Sequence, residues 1–103
     1  MLVHTTATTA EVREPDVLTS LSVTTSAGID LGAVLGDLGT VDEGGEHVWL
    51  SIEELRRRAA SLVPEAERDD WSRGFDGMVG YASSKGWTSP EGSHLRAHIT
   101  RAE

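Results

Sequence analysis

Residues suited to acid–base chemistry lie on one predicted helix and one predicted strand. Asp70, Arg73 and Tyr81 fall on one side of a helix predicted over 65–85, because successive helix residues are about 100° apart. His47 lies on a short predicted strand, and an imidazole with an ordinary pKa of about 6.5 can act as a base near neutral pH. A base beside a phenol suits proton transfer in an isomerase or cyclase. Asp70, Tyr81 and His47 are therefore the candidate catalytic residues.

The same helix carries three glycines at helical spacing, Gly74, Gly77 and Gly80, which we call the glycine face. They lower its intrinsic helix propensity by about 2–3 kcal/mol in total, so the fold should compensate for them. One interpretation is close approach of a neighbouring helix or of a second copy of the chain. The other is a pocket floor, where absent side chains leave room for a ligand. On the second interpretation the candidate ligand-binding residues are Trp49, Arg73, Gly74, Gly77 and Tyr81.

The histidines near the C-terminus do not predict a metal site. His94 and His98 are four residues apart, a spacing that suits a shared zinc ion only on a helix. The segment 94–100 alternates apolar and polar residues as a strand does, and four strand residues span about 13 Å. A metal site would need a helical segment here and a third ligand such as His47. We therefore expect no metal ion and no other cofactor.

The sequence contains no recognisable catalytic motif. There is no G-x-S-x-G elbow, P-loop or dinucleotide-binding fingerprint. Asp69, Asp70 and Asp76 could supply a pair of carboxylates for acid–base catalysis. Because Asp69 and Asp70 lie near a helix start, we expect them to interact with the helix dipole and with solvent instead.

The charge of the chain argues against nucleic-acid and membrane partners. Nine basic and 17 acidic residues give a net charge of −8, which opposes attraction to phosphate backbones and anionic bilayers. The basic run Arg56–Arg58 follows Glu53 and Glu54, where pairing three and four residues apart is expected on a helix. Cysteine is absent, and no apolar run approaches the roughly 20 residues that cross a bilayer. These features predict a soluble cytoplasmic protein, and its preference for arginine over lysine indicates a GC-rich bacterial genome.

Two long helices are predicted in the second half of the chain. Ser51 and Glu54 have the spacing of a capping box and begin a helix over 52–62. The next helix, over 65–85, begins after a proline, and Gly86 should end it in a left-handed conformation. The predicted buried residues of the first helix are Ile52, Leu55, Ala59 and Leu62. Those of the second are Trp71, Phe75, Met78, Val79 and Ala82.

Alternating apolar and polar residues predict three strands. They cover 17–24, 46–50 and 94–100, each with one face suited to a core. Residues 1–12 are rich in threonine and weakly patterned, and we expect either an edge strand or a loose arm there.

The segment 26–39 is interpreted as a short helix rather than a strand. Its leucines and valine recur at helical spacing, with Asp30 as the N-cap and Gly39 just beyond the C-terminal end. Gly32 and Gly36 inside the segment oppose this interpretation, since each costs about 1 kcal/mol relative to alanine.

These elements predict one α+β domain over 1–103, built in two layers with a helix pair packed on one face of an antiparallel sheet. A helix-turn-helix with a terminal wing is the competing architecture, and the acidic charge weighs against its use on DNA. We expect a small binding or interaction domain that self-associates as a homodimer and takes a small-molecule ligand. The alternative is a small metabolite-processing enzyme, isomerase- or cyclase-like, with its pocket on the glycine face.

Overall fold

The computed structural model describes residues 1–102 of the chain, which form six strands and three α-helices. The strands are β1 (Leu2–Thr5), β2 (Ala10–Arg13), β3 (Ser22–Ser26), β4 (Gly39–Val41), β5 (His47–Ser51) and β6 (His94–Ala102). The helices are α1 (Leu31–Leu35), α2 (Ile52–Ala60) and α3 (Arg68–Ser84). All six strands belong to one curled sheet in the order β2-β1-β3-β6-β5-β4.

The sheet is mixed, so the α+β class is confirmed but the prediction of an antiparallel sheet is correct only in part. Three of the five strand pairings are antiparallel, whereas β3 runs parallel to both β1 and β6. Alternation along a strand indicates which face is buried, but the direction of its neighbours depends on the connections. Here the chain leaves β3, forms β4 and β5 at the far edge, and returns through α2 and α3 to place β6 beside β3.

The N-terminal residues are an integral part of the sheet. β1 and β2 form a hairpin whose turn is closed by a 2.8 Å hydrogen bond from the Thr6 amide to the Thr9 carbonyl. β2 is an edge strand, as predicted, but β1 lies inside the sheet between β2 and β3. Val3 and Val12 face each other across the hairpin and are buried in the core. Of the two alternatives for residues 1–12, the structure therefore has strands rather than a loose arm.

The strand predicted over 17–24 is displaced towards the C-terminus. β3 begins only at Ser22, and the chain before it follows an irregular path after a left-handed residue, Glu14 (φ +52°). Val23 is fully buried as the alternation predicts, whereas Val17 is 37% exposed. The residues between Val17 and β3 form one wall of a cavity.

The helix predicted within 26–39 is confirmed but is shorter than predicted. The Asp30 carboxylate accepts a 3.3 Å hydrogen bond from the Ala33 amide and caps α1. The helix ends at Leu35, where Gly36 adopts a left-handed φ of +51°. A 3-10 turn over Gly36–Leu38 follows, so Gly39 lies just beyond that turn rather than at the end of α1; it begins β4, and a Cβ there would overlap the Trp49 carbonyl oxygen.

The capping box of α2 forms only in one direction. Ser51 Oγ accepts a 3.2 Å hydrogen bond from the Glu54 amide, as predicted. The Glu54 carboxylate instead turns along the helix to the guanidinium groups of Arg57 and Arg58. The helix ends at Ala60, so Leu62 lies beyond it and is 53% exposed rather than buried.

The second long helix is close to its prediction. A single 3-10 turn follows Pro64 and leads into α3, and Gly86 adopts the expected left-handed conformation (φ +76°). Trp71 and Phe75 are buried, and α3 lies against α2. Within residues 1–102 no helix is both long enough and apolar enough to cross a bilayer.

One apolar core lies between the sheet and the helices. Its fully buried members include Val3, Val23, Leu35, Val48, Leu50, Leu55, Phe75 and Leu95. The alternate residues of the strands lie on the opposite face of the sheet, where Arg96 and His98 are exposed and Trp49 is half-buried. The two faces of the sheet therefore differ in chemistry.

Candidate functional site

A half-open cavity of about 470 Å³ lies beside the glycine face of α3. Gly74, Gly77 and Met78 line it from the helix, and the irregular segment 18–21 lines it from the other side. Its inner end reaches Leu95, one of the core residues of β6. The cavity thus runs from the molecular surface to the edge of the core.

The cavity exists because the sheet is interrupted at this point. β3 begins at Ser22, which lies opposite His98, so the first residues of β6 have no β3 neighbour. A different segment takes that place: the Trp87 carbonyl accepts a 2.8 Å hydrogen bond from the Arg96 amide, and Thr88 bridges to Leu95. The segment 18–21 does not close the remaining gap, which becomes the cavity.

The three glycines have different surroundings. A Cβ added at Gly74 would lie 2.6 Å from Leu18 Cδ1, so Gly74 allows the segment before β3 to approach the helix closely. A Cβ at Gly77 or Gly80 would meet no atom within 4 Å. Gly77 lines the cavity, whereas Gly80 does not. Both interpretations of the glycine face therefore apply, but to different residues: Gly74 allows close packing, and Gly77 forms part of the cavity floor.

The mouth of the cavity is aromatic. The rings of Tyr81 and Trp87 meet edge to face, with 6.0 Å between their centroids and 69° between their planes. Tyr81 is 58% exposed and Trp87 is 39% exposed, although both are large and partly apolar. The turn after α3 holds Trp87 in place, since its amide donates a 2.9 Å hydrogen bond to the Ala82 carbonyl.

The cavity walls on the helix side carry no formal charge. Arg96 is the single ionised residue among those that line the cavity, and the alternation of β6 assigns its side chain to the opposite face of the sheet from Leu95. The uncharged polar groups among the lining residues are the hydroxyls of Thr19, Ser20 and Tyr81 and the indole N–H of Trp87. Such a cavity suits an uncharged, largely apolar group that can accept or donate a few hydrogen bonds.

The predicted catalytic residues do not meet at this cavity. Asp70 accepts a 2.6 Å hydrogen bond from Arg73, and their side chains are 85% and 76% exposed. Asp70 lines a separate, more open groove near Trp71, which shares only Leu18 with the cavity. His47 lies on β5, among the residues of the uncovered sheet face. Of the three candidates, only Tyr81 lines the cavity.

Two other predicted groups are also separate from the cavity. Trp49, a predicted ligand-binding residue, donates a 3.3 Å hydrogen bond from Nε1 to Asp42 on the uncovered sheet face. Asp76, the third carboxylate of the proposed pair, forms an ion pair with Arg56 of α2. The structure brings together Gly74, Gly77 and Tyr81 and leaves Arg73 and Trp49 elsewhere.

The cavity residues outside α3 were not grouped with its glycines, because most of them are distant from the helix in sequence. Leu18 and Leu21 belong to the segment interpreted as a strand, and Trp87 follows the predicted end of α3. A large aromatic residue directly after a helix-ending glycine was the only local signal, since the turn must direct it back towards the helix.

Comparison with known proteins adds no assignment to this site. No family model, no curated protein and no solved structure matches the chain. The geometry of the cavity is therefore the basis for a functional proposal.

Proposed function

We propose that the protein is a non-catalytic binding domain whose cavity beside α3 takes a small, uncharged ligand with an aromatic ring. The observation that carries this proposal is the half-open cavity of about 470 Å³ with Gly77 in its floor. Pockets for small organic molecules commonly measure about 300–1,000 Å³ and are lined mainly by apolar side chains. This cavity has the size and the apolar lining of that class.

The walls support the proposed ligand chemistry. Tyr81 and Trp87 present aromatic edges and faces at the mouth, where a ligand ring can pack against them. The hydroxyls of Thr19 and Ser20 supply hydrogen-bonding groups on the opposite wall. A charged ligand group would lose its hydration there without an opposite charge on the helix side to compensate for it.

The arrangement supports binding rather than proton transfer. A general acid or base must lie within hydrogen-bond reach of the proton that it moves. Asp70 is engaged by Arg73, and His47 lies on β5 away from the cavity. The enzyme alternative would therefore depend on Tyr81 alone among the three candidate catalytic residues.

Self-association is the competing use of the same surface. Tyr81 and Trp87 together expose an unusual amount of aromatic surface beside an apolar opening, and such patches often contact another protein. A second copy of the chain placed over the mouth would cover both rings. Binding of a small ligand and binding of a second copy should respond differently to a substitution in the cavity floor.

Gly77→Leu tests the proposal, with Gly80→Leu as the matched control on the same helix. Leucine at 77 should fill the cavity, whereas leucine at 80 should not, because Gly80 does not line it. Neither substitution should disrupt the fold, since a Cβ at either residue meets no atom within 4 Å. Circular dichroism and thermal melts check the fold of both variants.

Binding is measured with N-phenyl-1-naphthylamine, an uncharged aromatic dye whose fluorescence rises in apolar surroundings. The wild type and Gly80→Leu should bind the dye, and Gly77→Leu should lose at least about tenfold in affinity, equal to about 1.4 kcal/mol. Equal binding by the two variants, or no binding by the wild type, contradicts the proposal. Light scattering tests the competing occupant. If the wild type is a dimer and only Gly77→Leu is a monomer, the mouth contacts a second copy of the chain instead.

A further inference from the structure

Two histidines face each other across neighbouring strands, on the side of the sheet that the helices leave uncovered. His47 of β5 lies directly opposite His98 of β6 in the antiparallel register. Their ring centroids are 5.5 Å apart, with an angle of 72° between the ring planes. His98 is exposed and His47 is half-buried, so solvent ions have access to the pair.

The distance between the rings suits two ligands of one metal ion. Imidazole nitrogens bind zinc at about 2.0–2.1 Å, and at a tetrahedral angle the two ring centroids would then be about 5 Å apart. The observed separation of 5.5 Å is close to this value. Side-chain rotation alone could therefore direct one nitrogen of each ring towards a shared ion, with no movement of the strands.

The backbone around the pair is fixed by hydrogen bonds on both strands. The His47 carbonyl accepts a 2.9 Å hydrogen bond from the Asp42 amide, and the Ile99 amide donates to the Glu46 carbonyl at 3.0 Å. These bonds hold the residues next to each histidine in the sheet. Two ligands positioned in advance lose little conformational freedom when they bind an ion.

We propose that His47 and His98 form a two-histidine site for a divalent transition-metal ion of the Zn²⁺, Ni²⁺ or Cu²⁺ class, with water completing the coordination. Neutral imidazole suits these three ions better than Mg²⁺ or Ca²⁺, which prefer oxygen ligands. The net charge of −8 favours the approach of a dication. This site is on a different part of the molecule from the cavity and does not depend on the ligand proposed there.

The coordination sphere of the proposed site stays open. Among residues 1–102 no three histidine, aspartate or glutamate side chains are grouped closely enough to hold one ion together. Ser22 of β3 lies opposite His98 on its other side, and Trp49 lies opposite Arg96 two residues further along the strands, on the same face as the histidines. Two protein ligands and several waters give a readily exchangeable metal, with affinity increasing from Zn²⁺ or Ni²⁺ to Cu²⁺.

The test compares four single substitutions in the untagged full chain. His47→Gln and His98→Gln each remove one proposed ligand, while His4→Gln and His94→Gln change the two histidines outside the pair. Zn²⁺ and Ni²⁺ binding is measured by isothermal titration calorimetry. Loss of a residue that only supports a metal ligand already weakens binding about 10- to 100-fold, so loss of a ligand should cost at least about tenfold.

Wild-type protein should bind one ion per chain, both ligand variants should weaken that binding, and both controls should remain within about twofold of wild type. Proton–nitrogen correlation spectra of the imidazoles provide the second measurement. Zn²⁺ should shift the ring signals of His47 and His98 and leave those of His4 and His94 in place. No wild-type binding, an unaffected ligand variant, or a control that weakens binding as much as a ligand variant overturns the proposal.

Discussion

The guanidinium carbon of Arg56 lies 4.5 Å from the centre of the Phe75 ring and connects α2 to α3. The same side chain donates a 2.9 Å hydrogen bond from Nη1 to Ser72 Oγ and forms an ion pair with Asp76. Phe75 is fully buried, so Arg56 covers the outer face of a core aromatic ring. Its neighbours Arg57 and Arg58 pair with Glu54 within α2, as the basic run predicts.

Arg56→Lys should lower the free energy of unfolding by about 1 kcal/mol, because lysine keeps the charge but lacks the planar, forked guanidinium. Arg57→Lys is the matched control: its side chain is 70% exposed, so a change below about 0.5 kcal/mol is expected. Urea unfolding of the two variants measures the difference. Equal stabilities of the two variants would mean that the contacts of the Arg56 guanidinium with α3 do not stabilise the fold.

Alanine substitutions on the glycine face should separate helix propensity from packing. Gly80→Ala should stabilise the protein by about 1 kcal/mol, since alanine is the better helix former and its Cβ meets no neighbour. Gly74→Ala should stabilise it less, because its Cβ would displace the Leu18 side chain. Thermal melts measure both substitutions. When Leu18→Ala is already present, adding Gly74→Ala should stabilise the protein by more than it does in the wild type. Equal stabilisation by Gly80→Ala and Gly74→Ala would contradict the close packing of Leu18 on α3.

Thr25→Val should stabilise the protein by about 1 kcal/mol. The Thr25 hydroxyl is buried and has no hydrogen-bond partner among residues 1–102, so a methyl group of similar size removes an uncompensated polar atom. Thr5→Val is the contrasting variant, because Thr5 Oγ1 donates a 2.6 Å hydrogen bond to the Thr24 carbonyl. That variant should be destabilised in the same urea titration. A destabilised Thr25→Val would show that its hydroxyl has a partner in solution.

The contribution of Glu54 to stability should depend on pH. Hydrogen bonds from Arg57 and then Arg58 lower the pKa of the Glu54 carboxyl to about 2. This pKa is below the value of about 4.3 for glutamate in the unfolded chain. The ion pairs therefore contribute their full stabilisation above about pH 4.3, and that stabilisation is lost as pH falls towards 2. Glu54→Gln should therefore melt below wild type at pH 7, and the two melting temperatures should converge below pH 4.

Glu53→Gln serves as the control for that series, since Glu53 is an exposed carboxylate on the same helical turn. Its melting temperature relative to wild type should change little between pH 7 and pH 3. A gap between Glu54→Gln and wild type that stays constant with pH would show that the ion pairs are not the source of the effect.

The features that the sequence determined by itself all depend on residues close together in the chain. Ser51 and Asp30 cap their helices, and Gly86 ends α3, because each contact spans only about one helical turn. The alternation of 94–100 correctly assigned Leu95 to the core, since strand side chains reverse direction at every residue. Local spacing contains this information directly.

Tertiary structure alone decided which distant segments became neighbours. Leu18, Gly77 and Trp87 meet at the cavity because β3 starts late and the segment after α3 takes its place beside β6. In the sequence the nearest histidine to His98 is His94 on its own strand, but the pairing of β5 with β6 places His98 opposite His47. Periodicity identifies the faces of an element, whereas strand order and register depend on the path of the whole chain.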